Sequence, residues 1–113
     1  MSDVKYVDLD TGLARVRGNR AIYKKMLELF IKSGEFAAFE EAVGQQNWVR
    51  GAEVAHAIKG MTGNLSLDAV FQYSTSLMEQ MRHGAPDAAT LESYRSALEA
   101  TKAEVERLLP QLA

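Results

Sequence analysis

Apolar side chains return every three or four positions along most of this chain, the period of a helix with one buried face. Nowhere do valine, isoleucine and threonine alternate with polar residues long enough to suggest a strand. The pattern predicts a short first helix from Asp8 to Arg17, stopped by Gly18, with Leu9, Leu13 and Val16 on one side as a lid. A long second helix runs from Asn19, its cap, to Gly44 and carries Ile22, Met26, Leu29, Phe30, Ala37 and Val43. Gly34 is its weak point, since a glycine inside a helix costs about 1 kcal/mol relative to alanine and a bend or break would fall there. After the tight connection Gly44-Gln45-Gln46-Asn47, Asn47 caps a third helix from Trp48 to about Gly63 or Leu65. Ser66 caps a fourth, with Leu67, Val70, Ser74, Leu77 and Met81 in its stripe and Phe71 and Met78 alongside, ended by Gly84 and Pro86. Asp87 opens the last, where Leu91, Tyr94, Leu98, Thr101, Val105, Leu108 and Leu112 hold a heptad repeat. The expected fold class is all-α: an up-down-up-down four-helix bundle with a short additional N-terminal helix, in which short loops let neighbouring stripes bury one another.

The third helix differs from the others on its outer side. With His56 at zero on a helical wheel, Val54, Ile58, Met61 and Leu65 cluster between about 140 and 200 degrees. A core histidine would sit on that seam; His56 faces away from it. Its companions within roughly 60 degrees are Val49, Ala52, Lys59, Gly60 and Gly63, with Glu53 at the edge of the same outer side, where an ordinary solvent face would carry mostly glutamate, lysine and glutamine. Each outward glycine forgoes about 1 kcal/mol of helix stability, which implies a use for the space. Lys59 leans back alongside the imidazole, and Gly60 leaves open ground one turn on. A neutral imidazole is nucleophilic near neutral pH, an ammonium offsets charge on a transferred group, and bare backbone admits a partner's loop in line with the attacking nitrogen.

Composition narrows the classes that this site could serve. At 113 residues, with no shift of composition along it, the chain is expected to form one domain over residues 1–113. Thirteen basic against fifteen acidic residues give a net charge of -2, short of the basic excess that general nucleic-acid binding needs. The absence of cysteine excludes disulfides, thiol chemistry and cysteine-ligated metal. No apolar run approaches the ~18 residues of a membrane helix, and the opening residues lack an apolar signal core, so a cytoplasmic protein away from the membrane is expected, and a monomer, since no long apolar stripe is left unexplained.

Ala55-His56-Ala57-Ile58-Lys59-Gly60, followed by Met61-Thr62-Gly63-Asn64-Leu65, resembles the signature of the histidine-containing phosphotransfer (HPt) domains, roughly A-H-x-L-K-G-x-x-x-x-L-G. The likeness extends to Leu9–Phe30, similar to the family's opening helices, to Gln46-Asn47-Trp48, similar to its acidic-Trp helix start, and to the lengths of the last two helices. The resemblance implies a phosphorelay carrier: His56 as phosphoacceptor, Lys59 as charge partner and Gly60 as the clearance position, exchanging phosphate with an aspartate of a response-regulator receiver domain or a hybrid sensor kinase. Magnesium would come with the receiver, with no intrinsic cofactor here. The expected docking patch is Val49, Ala52 and Gly63 around His56. Ile58 stands where leucine is usual, and Ser66 stands where the motif commonly ends in glycine. Some members place a glutamine on the following helix against the imidazole; Met78 falls at that register here, with Gln72 and Gln80 nearby, and the role is unassigned. Nothing resembles a nucleotide-binding loop, so no kinase activity of its own is expected.

Glu53 and His56 have the Glu-x-x-His spacing of carboxylate-bridged di-iron bundles, but such sites need a second copy, and the other histidine, His83, follows Gln80 by three positions. His83 reads as a helix C-terminal residue favoured by the dipole. Phe36 and Phe39 are expected in the core. The competing functional reading is a non-catalytic helical module that docks a receiver or sensor kinase without carrying phosphate.

Overall fold

A computed structural model describes residues 4–112; Met1 to Asp3 and Ala113, the ends of the expected 1–113 domain, lie outside the described residues. All regular structure within them is helical: α1 (Leu9–Arg15), α2 (Arg20–Ile31), α3 (Glu35–Gly44), α4 (Trp48–Leu65), α5 (Asp68–Met81), α6 (Ala88–Leu108) and a closing 3-10 turn, Leu109–Leu112. Side-chain oxygens of Asp8, Asn19, Asn47 and Asp87 accept from backbone N–H groups three residues on and so fix the starts of α1, α2, α4 and α6.

The long helix predicted from Asn19 to Gly44 is two helices, parted at the glycine that weakens it. Ser33 Oγ accepts from the Glu35 N–H at 3.2 Å and restarts the chain at Gly34. The break lets both halves bury aromatic side chains at once: Phe30 and Phe36 meet edge to face at 5.3 Å, and Phe39 packs on Tyr94 of α6 at 5.0 Å. It also re-aims the stripe of α2. Tyr23, Leu27 and Phe30 are its buried residues, whereas Ile22 and Leu29 of the expected seam are 49% and 58% exposed.

α4 packs against α5, α3, α2 and α1, and α5 against α6. Gly51 of α4 faces Met81 of α5, and Gly63 faces Phe71, so the two helices run antiparallel and approach closely at both ends. The core face of α4 comprises Gly51, Val54, Ala55, Ile58, Thr62 and Leu65; Met61 is half-buried beside it. Burying Val54, Ile58 and Leu65 contributes roughly 2 kcal/mol each, which outweighs the ~1 kcal/mol that each glycine of this helix costs.

The end of α4 departs from the sequence reading. Ser66 does not cap α5, whose N-cap is Leu67 without a side-chain hydrogen bond. Ser66 instead terminates α4 in the left-handed conformation at φ 59, and its hydroxyl accepts from Arg15 Nε at 3.2 Å. A left-handed helix terminus is the position where glycine is least strained, which gives a physical reason for glycine in the motif that this stretch resembles.

Candidate functional site

α4 holds its outer face rigid because its inner face is locked on three sides. Asn47 fixes its first turn, the Gly51–Met81 and Gly63–Phe71 approaches fix its distance from α5, and Tyr23 Oη donates at 2.7 Å to the Leu65 carbonyl. Burial pushes the Tyr23 hydroxyl up to about 12, reinforced by the negative charges of Asp8 and Asp68, so this donor stays protonated well above neutral pH.

On that outer face the His56 ring is exposed, and neither ring nitrogen has a hydrogen-bond or ion-pair partner among the described residues. Lys59 is half-buried and likewise forms no ion pair among them. A Cβ built on Gly60 would meet nothing within 4 Å. The face therefore combines a free imidazole, a free ammonium and an unobstructed stretch of backbone within one helical turn.

The five outward positions do not share one explanation. Val49 is 75% exposed and Ala52 half-buried, both on the surface beside His56. Gly63, expected to lack any packing return, has one: its missing side chain leaves room for the Phe71 ring, which a Cβ would meet at 3.1 Å. Of the two glycines, Gly60 alone faces open space.

His56, Ala52, Glu53 and Arg82 line one shallow groove of about 320 Å³. Glu53 is engaged by Arg50 at 3.6 Å and Arg82 by Glu79 at 3.0 Å, each pair at the surface. Arg82 was not singled out from the sequence. Its signal is weak there, a basic residue at a helix end, and it acquires meaning only when α5 folds back along α4. The glutamines do not take the imidazole's side: Gln80 bonds Thr90 and the Asp87 N–H, Gln72 borders a separate hollow with Tyr73 and Ser96, and Met78 is buried. That hollow, about 360 Å³ between the N-terminal segment and α5 and α6, has no histidine, lysine or arginine in its lining. His83 is exposed past the end of α5 and is absent from the groove. No group of three or more histidine, aspartate or glutamate side chains among the described residues could hold a metal ion, and no helix among them is long and apolar enough to cross a membrane.

A narrower apolar groove of about 180 Å³ runs between α2 and α4, lined by Met26, Leu29, Phe30, Met61, Asn64 and Leu65. Sequence periodicity assigned Leu29 to the core, so this surface was missed. Comparison with protein-family models, with curated proteins and with solved structures finds no match to the chain.

Proposed function

We infer that this protein is a phosphoryl carrier of the histidine phosphotransfer type, its helices forming an up-down-up-down four-helix bundle with α1 as a short N-terminal addition. The observation that carries the reading is the state of His56: exposed on a helix whose other face is core, with neither ring nitrogen engaged among the described residues and Gly60 open beside it. An imidazole serving structure would be tied to a partner; this one is left for chemistry.

In the proposed reaction the Nε2 lone pair of His56 attacks the phosphorus of an aspartyl phosphate on a receiver domain. The new P–N bond forms as the P–O bond breaks, and its electron pair returns to the aspartate as carboxylate. Donation runs the same path in reverse. Lys59 offsets charge on the three phosphoryl oxygens, and the open backbone at Gly60 admits the receiver's loop in line. Magnesium belongs to the receiver, whose acidic pocket this groove lacks. The partners are a response-regulator receiver and a hybrid sensor kinase, met transiently by a cytoplasmic monomer over Val49, Ala52 and the edge of the α2–α4 groove. The chain carries no ATP-dependent kinase activity of its own.

Incubation with a panel of receivers phosphorylated on aspartate tests this. Label moves to the wild-type chain and not to His56→Gln, which still binds. The exposed Val49, Ile22 and Leu29 favour a second reading, a docking module without chemistry; binding without label transfer to wild type would select it.

A further inference from the structure

Tyr6 and Tyr73, 47% and 36% exposed, line one hollow of about 360 Å³ that shares no residue with the His56 groove. Its walls follow from how α5 begins. The N-cap Leu67 offers no side-chain oxygen, so the Ala69 N–H, a first-turn donor without a partner in its own helix, donates to the Lys5 carbonyl at 3.0 Å. That bond draws the N-terminal segment across α5. Val4 and Tyr6 reach the hollow, while Lys5 between them pairs with Asp8 at 4.0 Å. Ala69 of α5 and Ala97 of α6 are buried in the lining with only a methyl group each, which leaves depth between the helices that larger side chains would close.

The lining has one sign of charge. Glu92 is its single ionisable carboxylate among the described residues, no cation accompanies it, and it forms no ion pair among them. Arg95, one turn on, feels the Glu92 charge but directs its hydrogen bonds to Glu40, at 3.1 and 2.7 Å. Lys102, a further two turns along α6, lies over the Phe36 ring at 4.8 Å. Neither Tyr6 nor Tyr73 stacks on another aromatic or holds one of the chain's own cations among the described residues. The side chains of Gln72, Ser93 and Ser96 complete the rim with no hydrogen bond to another described residue. Two uncommitted aromatic rings and a carboxylate around one small hollow are the chemistry that recognises an alkylammonium group, which the ring quadrupoles and the negative charge both attract.

We propose that this hollow binds a small organic ammonium ion, its alkyl groups against Tyr6 and Tyr73 and its charge toward Glu92. The site stands whether or not His56 carries phosphate. Its volume lies at the lower end of the roughly 300 to 1,000 Å³ of small-molecule sites, which suits an ion of the size of choline or the end of a lysine side chain.

The test titrates the isotope-labelled whole chain, at constant ionic strength, with choline, with its neutral carbon isostere 3,3-dimethyl-1-butanol, and with N-acetyl-lysinamide, following backbone amide shifts. Choline or the lysine derivative moves the amides of Gln72, Tyr73, Ser93 and Ser96 to saturation, and the tighter of the two tells whether the ion is a free quaternary amine or a partner's lysine. The neutral isostere binds at least several-fold more weakly. Glu92→Gln and Tyr73→Leu each weaken the cation by about twofold to fivefold. Because Glu92 is exposed, its variant keeps the parental melting temperature and separates lost recognition from lost fold. Equal binding of choline and the isostere would overturn the proposal by showing an apolar hollow indifferent to charge. So would parental affinity in both variants, or the absence of any saturable shift at these amides up to tens of millimolar.

Discussion

The Tyr23 hydroxyl of α2 donates to the Leu65 carbonyl at the end of α4, tying the helix that bears His56 to its neighbour at the point where its own hydrogen bonds run out. Tyr23→Phe leaves that carbonyl buried without its partner, and chemical denaturation should show a loss of about 1 to 2 kcal/mol. Burial of the same hydroxyl, with the charges of Asp8 and Asp68, carries a pH signature. The folded-state pKa lies near 12 against an ordinary 10, so the contribution is complete below pH 10 and is lost as pH rises toward 12. Stability of Tyr23→Phe should therefore fall less steeply between those values than that of the parent.

The glycines of α4 should separate by substitution. Gly51 packs against the Met81 sulfur, which an added Cβ would meet at 2.6 Å, so Gly51→Ala should destabilise by about 1 to 3 kcal/mol in thermal or denaturant unfolding. Gly60 faces open space, and Gly60→Ala should stabilise by up to about 1 kcal/mol through helix propensity alone. Gly60→Gln should keep the fold yet slow phosphoryl transfer by obstruction; transfer at the parental rate would remove the clearance role.

At the end of α4, Ser66 holds a positive φ that strains any residue with a Cβ and is worst for a branched one. Ser66→Val should cost about 2 kcal/mol or more, combining that strain with loss of the Arg15 bond, whereas Ser66→Gly should stay within about 1 kcal/mol of the parent. Equal losses for both variants would show that the hydrogen bond and not the backbone decides this position.

The helix starts and the outward placement of His56 were legible in the sequence because caps and a 3.6-residue period are local properties. Asn19, Asn47 and Asp87 cap as their side chains suggest. What escaped is what depends on partners distant in sequence. Gly34 marked where the long helix fails, but the aromatic pairs Phe30–Phe36 and Phe39–Tyr94 accompany the break and the rotation of α2 that leaves Leu29 outside. Gly63 looked like vacant surface until Phe71 was brought against it, and Arg82 gained a neighbour in His56 only through the pairing of α4 with α5.

The heptad positions of α5 and α6 include hydroxyls where hydrocarbon would serve better. Among the described residues, the side-chain oxygens of Ser74, Tyr94 and Thr101 are buried without a hydrogen-bond partner, and burial raises the Tyr94 pKa further above the ordinary tyrosine value than that of Tyr23. Thr101→Val keeps the shape and removes one such oxygen. It should raise stability by about 1 kcal/mol, measured as a higher denaturation midpoint at unchanged slope.

The central claim is that the exposed imidazole of His56 accepts a phosphoryl group. Phosphoramidate treatment followed by mass spectrometry, with the site located by fragmentation under neutral conditions, tests it most directly. The expected result is a single added phosphoryl group on His56, labile in acid, stable in base and absent from His56→Gln. An unmodified chain, or modification at His83 with His56 untouched, would contradict it.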